Sequence, residues 1–438
     1  MREMKDSGIE WIGDIPKVWK LKRLKALLVE RKEKNDPVQT HFILSLGANY
    51  GVIPYSQKEG GGNKAKEDVS SYRLAYPGDI VMNSMNIISG SVGLSKYFGC
   101  VSPVYYMFYP RNRNSKTEYY HYLFQTKVFQ HSLLGLGNGI LMKESGNGTF
   151  NTVRMRIPVE KLNALMLPFP PLNEQERIVV FLDSECAAID TILEKTRASI
   201  DEYKKLKQAV ITQAVTKGIR GGRPMKDSGI EWIGEIESQF EIYKLKYLLR
   251  NRLSYGANEA GIPFDESLPR YIRITDIAIN GGLKDKDKLS LENAAAADYL
   301  LSDGDILFAR SGATVGKAFI YKKEYGKASF AGYLIKASVN DQVMPQYIFY
   351  YTQSSIYEKW KKQIFIQSTI QNIGADRYAN LPIILPNLDI QKQIVSYLDI
   401  KCAKIDNLIS KKEQYLTEIE NYKKSLIYEY VTGKKEVI

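Results

Sequence analysis

The chain has 438 residues, too many for one ordinary domain and enough for two to four. Hydrophobic residues make up 44% and charged residues 25%, a balance that excludes a disordered chain. No apolar run reaches the roughly 18 residues a membrane span needs. A net charge of +12 points to a polyanionic partner, nucleic acid first. Three cysteines, Cys100, Cys186 and Cys402, are too few and too odd in number for a disulfide framework. The opening MREMKDSGIEW carries no apolar signal core, so a reducing cytoplasm is the expected compartment.

In chain order, the first feature is MKDSGIEWIG at 4–13, which recurs unchanged at 225–234. The similarity continues loosely, with Trp19 answering to Phe240, Leu24 to Leu245 and Lys25 to Lys246. Residues 18–168 mix β-branched and aromatic runs, such as HFILSLGANYGVIPY and VSPVYYMFY, with Gly, Pro and Asn turns. They read as an α+β domain with a curved sheet and one Tyr-rich helical stretch, TEYYHYLFQTKVFQHSLL. A heptad-patterned block comes after it. Leu182, Cys186, Ile189, Leu193, Thr196, Ile200, Tyr203 and Val210 recur at spacings of three, four or seven. Pro171 before them and Gly218 after them predict a helix over 172–217. Gly218, Gly221, Gly222 and Pro224 mark a linker.

The second half repeats this order. Residues 240–385 carry YIRITDIAI, DGDILFAR and KAFIYKK and a second Tyr-rich stretch, PQYIFYYTQSSIYEKWKKQI. Leu398, Cys402, Ile405, Ile409, Lys412, Leu416, Ile419 and Leu426 repeat the seam and predict a helix over 387–432. The organisation is thus 1–168, a motif and first domain; 169–219, a long helix; 220–385, linker, motif and second domain; 386–438, a second long helix. Each helix is expected to run roughly 40–45 residues, ~60–70 Å. A seam that long on a solitary helix needs a partner, and duplicated units predict an antiparallel coiled coil of the two helices. Packing of each seam on its own domain is the other option. The antiparallel arrangement puts Cys186 and Cys402 ~30 Å apart, beyond the ~7 Å Cα limit of a bridge.

Between the two domains the scaffold agrees and the tips differ. Gly78-Asp79-Ile80 answers to Gly304-Asp305-Ile306, and Val92-Gly93 to Val315-Gly316. The tips are Asn83, Ser84, Met85 and Asn86 in one and Arg310, Ser311, Gly312, Ala313 and Thr314 in the other. Later loops add Asn147, Thr149, Asn151 and Arg154 in the first domain, and Gln367, Ser368, Thr369, Gln371, Asn372 and Arg377 in the second. Asn and Gln suit adenine, Arg suits guanine, and Ser or Thr suit bases or phosphates. Lys58, Lys64, Lys66, Lys322, Lys323, Lys361 and Lys362 suit phosphates. Neutral drift of surface loops is the alternative.

Catalytic signatures are missing. His41, His121 and His131 stand in no metal-ligand spacing, and no cysteine pair does. Gly135–Gly139 follows a helical pattern, unlike a dinucleotide loop. Gly312–Ala318 is one residue short of a phosphate loop and has Ala318 where Ser or Thr would hold magnesium. Glu202 and Lys204 lie on the heptad helix, and no Asn-Pro-Pro-Tyr motif occurs. The expected role is binding, with no catalysis and no metal.

Taken together, SGIEWIGDIPKVW at 7–19, PLNEQERIVVFLD at 171–183 and the duplicated order resemble the specificity subunit of Type I restriction–modification systems over nearly the whole chain. The resemblance implies two target recognition domains, at 18–168 and 240–385, each reading half of a split, asymmetric DNA sequence. It implies that the helices are a ruler on which two methyltransferase subunits dock, with two motor-nuclease subunits in the full complex. S-adenosylmethionine, magnesium and ATP would belong to those partners, and this chain would bind no cofactor. A modification-only or Type IIB-like system would use the same chain, and a coiled-coil adaptor without DNA is a distant alternative. The second copy departs from the pattern: Pro16 becomes Glu237, Trp19 becomes Phe240 and Glu174 becomes Ile390.

Overall fold

A computed structural model describes residues 2–47, 50–58, 65–137, 156–278, 281–312, 314–366 and 372–437. The chain folds into two compact units, Met1–Thr196 with Tyr415–Ile438, and Arg197–Gln414. The long helices run over Leu172–Lys217 (46 residues) and Leu388–Val431 (44 residues). Each is therefore cut in its middle by the division into units, where the sequence division kept it whole.

In the first unit the opening motif is a hairpin, Met4–Asp6 against Asp14–Pro16. Its turn explains why the motif recurs unchanged. Asp6 accepts the Gly8 amide, Ser7 Oγ accepts the Ile9 amide, and Gly8 has φ +67. Asp227, Ser228 and Gly229 (φ +70) repeat the same bonds, and only glycine tolerates that φ cheaply. Strand Lys20–Arg23 then pairs with Met166–Phe169, so the domain's first strand meets its last. Between them a four-stranded antiparallel sheet runs Leu28–Arg31, Tyr105–Pro110, Ile80–Asn83, Val92–Leu94.

The second unit repeats this plan. Glu241–Lys244 pairs with Pro382–Leu385, and a sheet of the same order runs Ser254–Tyr255, Leu334–Ala337, Ile306–Ala309, Ala318–Ile320. It adds another four-stranded sheet in which Arg270–Ile272 and Ala328–Phe330 are parallel. Both units fit the expected α+β class. One sequence correspondence shifts. Val92 lies opposite Met82 and Ala318 lies opposite Phe308, so Val92 corresponds to Ala318, not to Val315. The residue matching Gly316 (φ +82) is Gly90 (φ +86), because both turns need the same left-handed step.

Each Tyr-rich stretch is two helices, not one: Thr117–Gln125 and Lys127–Ser132, then Pro345–Tyr351 and Ser355–Ile366. The break has a local cause. Thr126 Oγ1 donates to the Leu123 carbonyl and accepts the Phe129 amide. Ser354 Oγ does the same with Tyr351 and Tyr357. A hydroxyl that offers its backbone this alternative ends one helix and caps the next.

The long helices run antiparallel within each unit. In the first, the Phe181 ring packs against Tyr430, tilted by 41° with centroids 4.4 Å apart, and Asp190 pairs with Lys423 at 2.6 Å. In the second, Lys412 lies over Tyr203 and Lys207 pairs with Asp406 at 2.7 Å. Asp190 and Asp406 are equivalent in the repeat, as are Lys207 and Lys423, so one bridge occurs twice. Leu182, Cys186, Ile189, Leu193, Leu398, Cys402 and Ile405 are buried, while Ile409 is only half-buried. The seam is also shared with the domains. Ile178, Leu182 and Cys186 lie in one core with Trp19, Tyr119 and Leu167 as well as Leu426 and Val431. Both packing options are thus realised, because the first turns of each helix complete the core of the domain before them. Cys100, Cys186 and Cys402 are free and buried. Among the described residues no helix is long and apolar enough to cross a membrane.

Candidate nucleic-acid interface

The strand after each Gly-Asp-Ile turn ends at a point where three backbone segments meet. Gly78 (φ +86) and Gly304 (φ +84) make the turn, and Asp79 and Asp305 close it by accepting the Tyr76 and Ser302 amides. In the first unit Ser84 N donates to Val104 O, and Ser84 O accepts from Ile157 N at 3.0 Å. In the second, Arg310 N donates to Tyr333 O at 3.0 Å, and Arg310 O accepts from Ile373 N at 2.9 Å. The backbone junction is the same, while its side chains differ. Ser84, Val104 and Arg156 stand in one where Arg310, Tyr333 and Asn372 stand in the other.

Several residues singled out from the sequence lie at these junctions. Asn83 is nearly buried and its Oδ1 accepts the Met85 amide; Ser84 is fully buried and its Oγ donates to Val104 O at 2.7 Å. Their side chains shape the turn, which corrects the expectation that they face a ligand. Asn86 is exposed. Arg310, Ser311 and Asn372 come together, with a β-bridge joining Ser311 to Asn372, and Thr314 lies on the same turn. Asn147, Thr149, Asn151, Arg154, Gln367, Ser368, Thr369 and Gln371 lie outside the described residues. Gly312–Ala318 connects two antiparallel strands, which is not the strand-to-helix setting of a phosphate loop.

Three participants escaped the sequence reading. In the first unit, Arg156 is exposed and lines a polar pocket of about 460 Å³ with Lys32, Arg73, Glu30, Tyr106 and Glu160. Glu30 pairs with Arg73 at 3.0 Å and Lys32 at 3.6 Å, whereas Arg156 has no ion pair among the described residues. In the second unit Tyr255 and Tyr333 are 42% and 66% exposed, and the Arg310 guanidinium lies 4.8 Å over the Tyr255 ring. Aligning each domain from its Gly-Asp-Ile turn, and each later loop from the helix after it, would have set Ser84 against Arg310 and Arg156 against Asn372. Nearby, Arg31 is held by Asp79 at 2.8 Å and lies over Tyr76 and Tyr109; its hydrogen bond to Asp79 raises its pKa above the usual range. Among the described residues no group of three His, Cys, Asp or Glu side chains could hold a metal ion.

Known proteins give this architecture a family. Residues 16–202 and 275–421 match the family described as the Type I restriction modification DNA specificity domain. The chain is similar to the Type I restriction enzyme MjaVIII specificity subunit of Methanocaldococcus jannaschii, at 25% identity over 62% of this chain and 63% of that one. It thus spans just under two thirds of that relative's length. It is also similar to the putative MjaX specificity subunit of the same organism, at 23% identity over 97% of this chain and 96% of the other. A chain solved in work on complex assembly and conformational transition of the type I R-M system shares the fold, with a TM-score of 0.70 at 14% identity, covering 96% of this chain and 99% of that one. The family match takes in most of both repeats, and the chain belongs to the Type I restriction modification DNA specificity family.

Proposed function

We propose that the chain is the non-catalytic, sequence-reading subunit of a restriction–modification complex. Each unit binds one half of a bipartite, asymmetric DNA target. The observation that carries this is the junction built identically in backbone and differently in side chains, at Ser84 and Arg156 against Arg310 and Asn372. Shared backbone with unlike polar groups suits one task performed on two base sequences. A net charge of +12 supplies the sequence-independent attraction to phosphates.

The long helices are the docking surface for two methyltransferase subunits, and two motor-nuclease subunits complete the assembly. Apolar side chains left exposed on them support this: Val180 and Ile192 in the first unit, Leu206, Ile400 and Leu408 in the second. Scattered apolar exposure is ordinary, but on a helix already partnered along one seam it suits a further helix. S-adenosylmethionine, magnesium and ATP belong to the partners. The complex of the chain with its methyltransferase subunits should retard target DNA selectively, with affinity falling steeply as salt rises. Equal retardation of all sequences, or none, would overturn the proposal.

A further inference from the structure

We infer that Arg310 reads a guanine in the half-site held by the second unit, through the terminal nitrogens of its guanidinium; this rests on the DNA-reading role proposed above. Its backbone is fixed on both sides, to Tyr333 O and by Ile373 N. Its side chain is fixed as well. The guanidinium lies on Tyr255, and the Tyr255 hydroxyl accepts the Ala375 amide at 3.0 Å, so the platform is itself anchored. Two glycines let the segments carrying Tyr255 and Tyr333 close on each other. A Cβ on Gly256 would stand 2.2 Å from Phe330 O, and one on Gly332 would stand 2.0 Å from Asn258 Oδ1.

Arg31, Arg73 and Arg273, also partly buried, are paired with Asp79, Glu30 and Asp276, and the buried Arg270, whose Nε is likewise unbonded, donates from its terminal nitrogen to the Lys284 carbonyl. Arg310 has no carboxylate partner among the described residues, and its Nε is buried with no hydrogen bond. Beside it the Asn372 Oδ1 is also buried and has no hydrogen bond among the described residues. Folding rarely retains such groups without reason. With Nε enclosed, only the two terminal nitrogens can donate outward. That planar fork matches O6 and N7 of guanine. The same fork also fits a phosphate, and the two contacts differ in what substitution does: losing a base contact relaxes one position, losing a phosphate contact weakens all sequences alike. At the same junction of the first unit the guanidinium comes from the other segment, at Arg156, so a cation recurs where the surrounding sequence does not.

The test is selection from random duplexes by the full chain with its methyltransferase subunits, comparing wild type, Arg310→Ala and Arg310→Lys. The wild type is expected to select a two-part motif with a guanine in one half. Arg310→Ala should lose roughly 10- to 100-fold discrimination at that single base pair and leave the other half unchanged. Arg310→Lys should keep overall affinity and salt dependence yet relax the same position, which separates reading from charge and from folding. If Arg310→Ala selects the wild-type motif with uniformly weaker affinity and a salt slope lower by about 1, the residue contacts a phosphate and the inference fails. Failure of the wild type to select any motif would overturn the DNA-reading role itself.

Discussion

The three departures of the second repeat prove to be one change. In the first unit Glu174 is buried and accepts from Trp19 Nε1 at 2.7 Å and from Arg2. In the second, the residues matching Glu174 and Trp19 are Ile390 and Phe240, and the residue matching Arg2, Arg223, pairs instead with Glu237 at 2.7 Å. The carboxylate has moved from helix to hairpin, and the indole that needed it has gone. Glu174→Ile alone should therefore cost ~2–4 kcal/mol, since it strands the buried Trp19 N–H and leaves the Arg2 guanidinium, still bonded to the Gly433 carbonyl, without its carboxylate. Adding Trp19→Phe and Pro16→Glu should recover most of that in thermal unfolding. A triple mutant no more stable than the single would refute the coupling. The three departures were legible in sequence, but their interdependence was not, because residues 2, 19 and 174 meet only through tertiary contact. The cysteines behave alike at this scale. Burial pushes the Cys186 and Cys402 thiols up to about 11, and raises Cys100 as well. All three should resist a thiol reagent at pH 8 in the native chain and react once it is denatured; rapid native labelling would contradict their placement.

At the scale of elements, the helix starts were the most legible feature and their anchoring the least. Pro171 and Pro386 and the apolar period marked where the long helices begin. What seats them is a buried glutamine in each. Gln175 accepts the Lys116 amide and donates to Asn114 O and Pro170 O. Gln391 accepts the Met344 amide and donates to Gln342 O and Pro386 O. Both were visible as matched letters, without a signal that they bond to the segment before a Tyr-rich helix. Gln175→Leu or Gln391→Leu should each destabilise by ~1–3 kcal/mol, as the abandoned backbone groups remain part-buried. Chemical denaturation would measure it, and a neutral effect would mean those groups find water. The same limit applies to the Tyr-rich stretches: their composition predicted helix, while the break at Thr126 and Ser354 depended on a single hydroxyl.

On the scale of the whole molecule, duplication was readable from one sequence because the motif at 4–13 and the helical blocks are constrained twice. The turn residues and the first seam residues, Leu182, Cys186 and Ile189 with Leu398, Cys402 and Ile405, perform the same task in both copies, so both retained them. The junction side chains carry no such constraint, which is why Arg156 and Tyr255 escaped notice and why Asn83 and Ser84 were misread as outward-facing. Inserting one heptad, ~10 Å, at matched points of both helices should lengthen the spacer between half-sites by roughly three base pairs; an unchanged spacer would refute the ruler role. Two unlike readers in one chain remain the central claim. Its most direct measurement is the map of methylated bases left on DNA by the chain assembled with its methyltransferase subunits, before and after exchange of residues 240–385 for a foreign domain. The expected map is two different short half-motifs across a fixed spacer, with the exchange altering one half alone. A palindromic or uninterrupted motif, or an exchange that alters both halves, would contradict it.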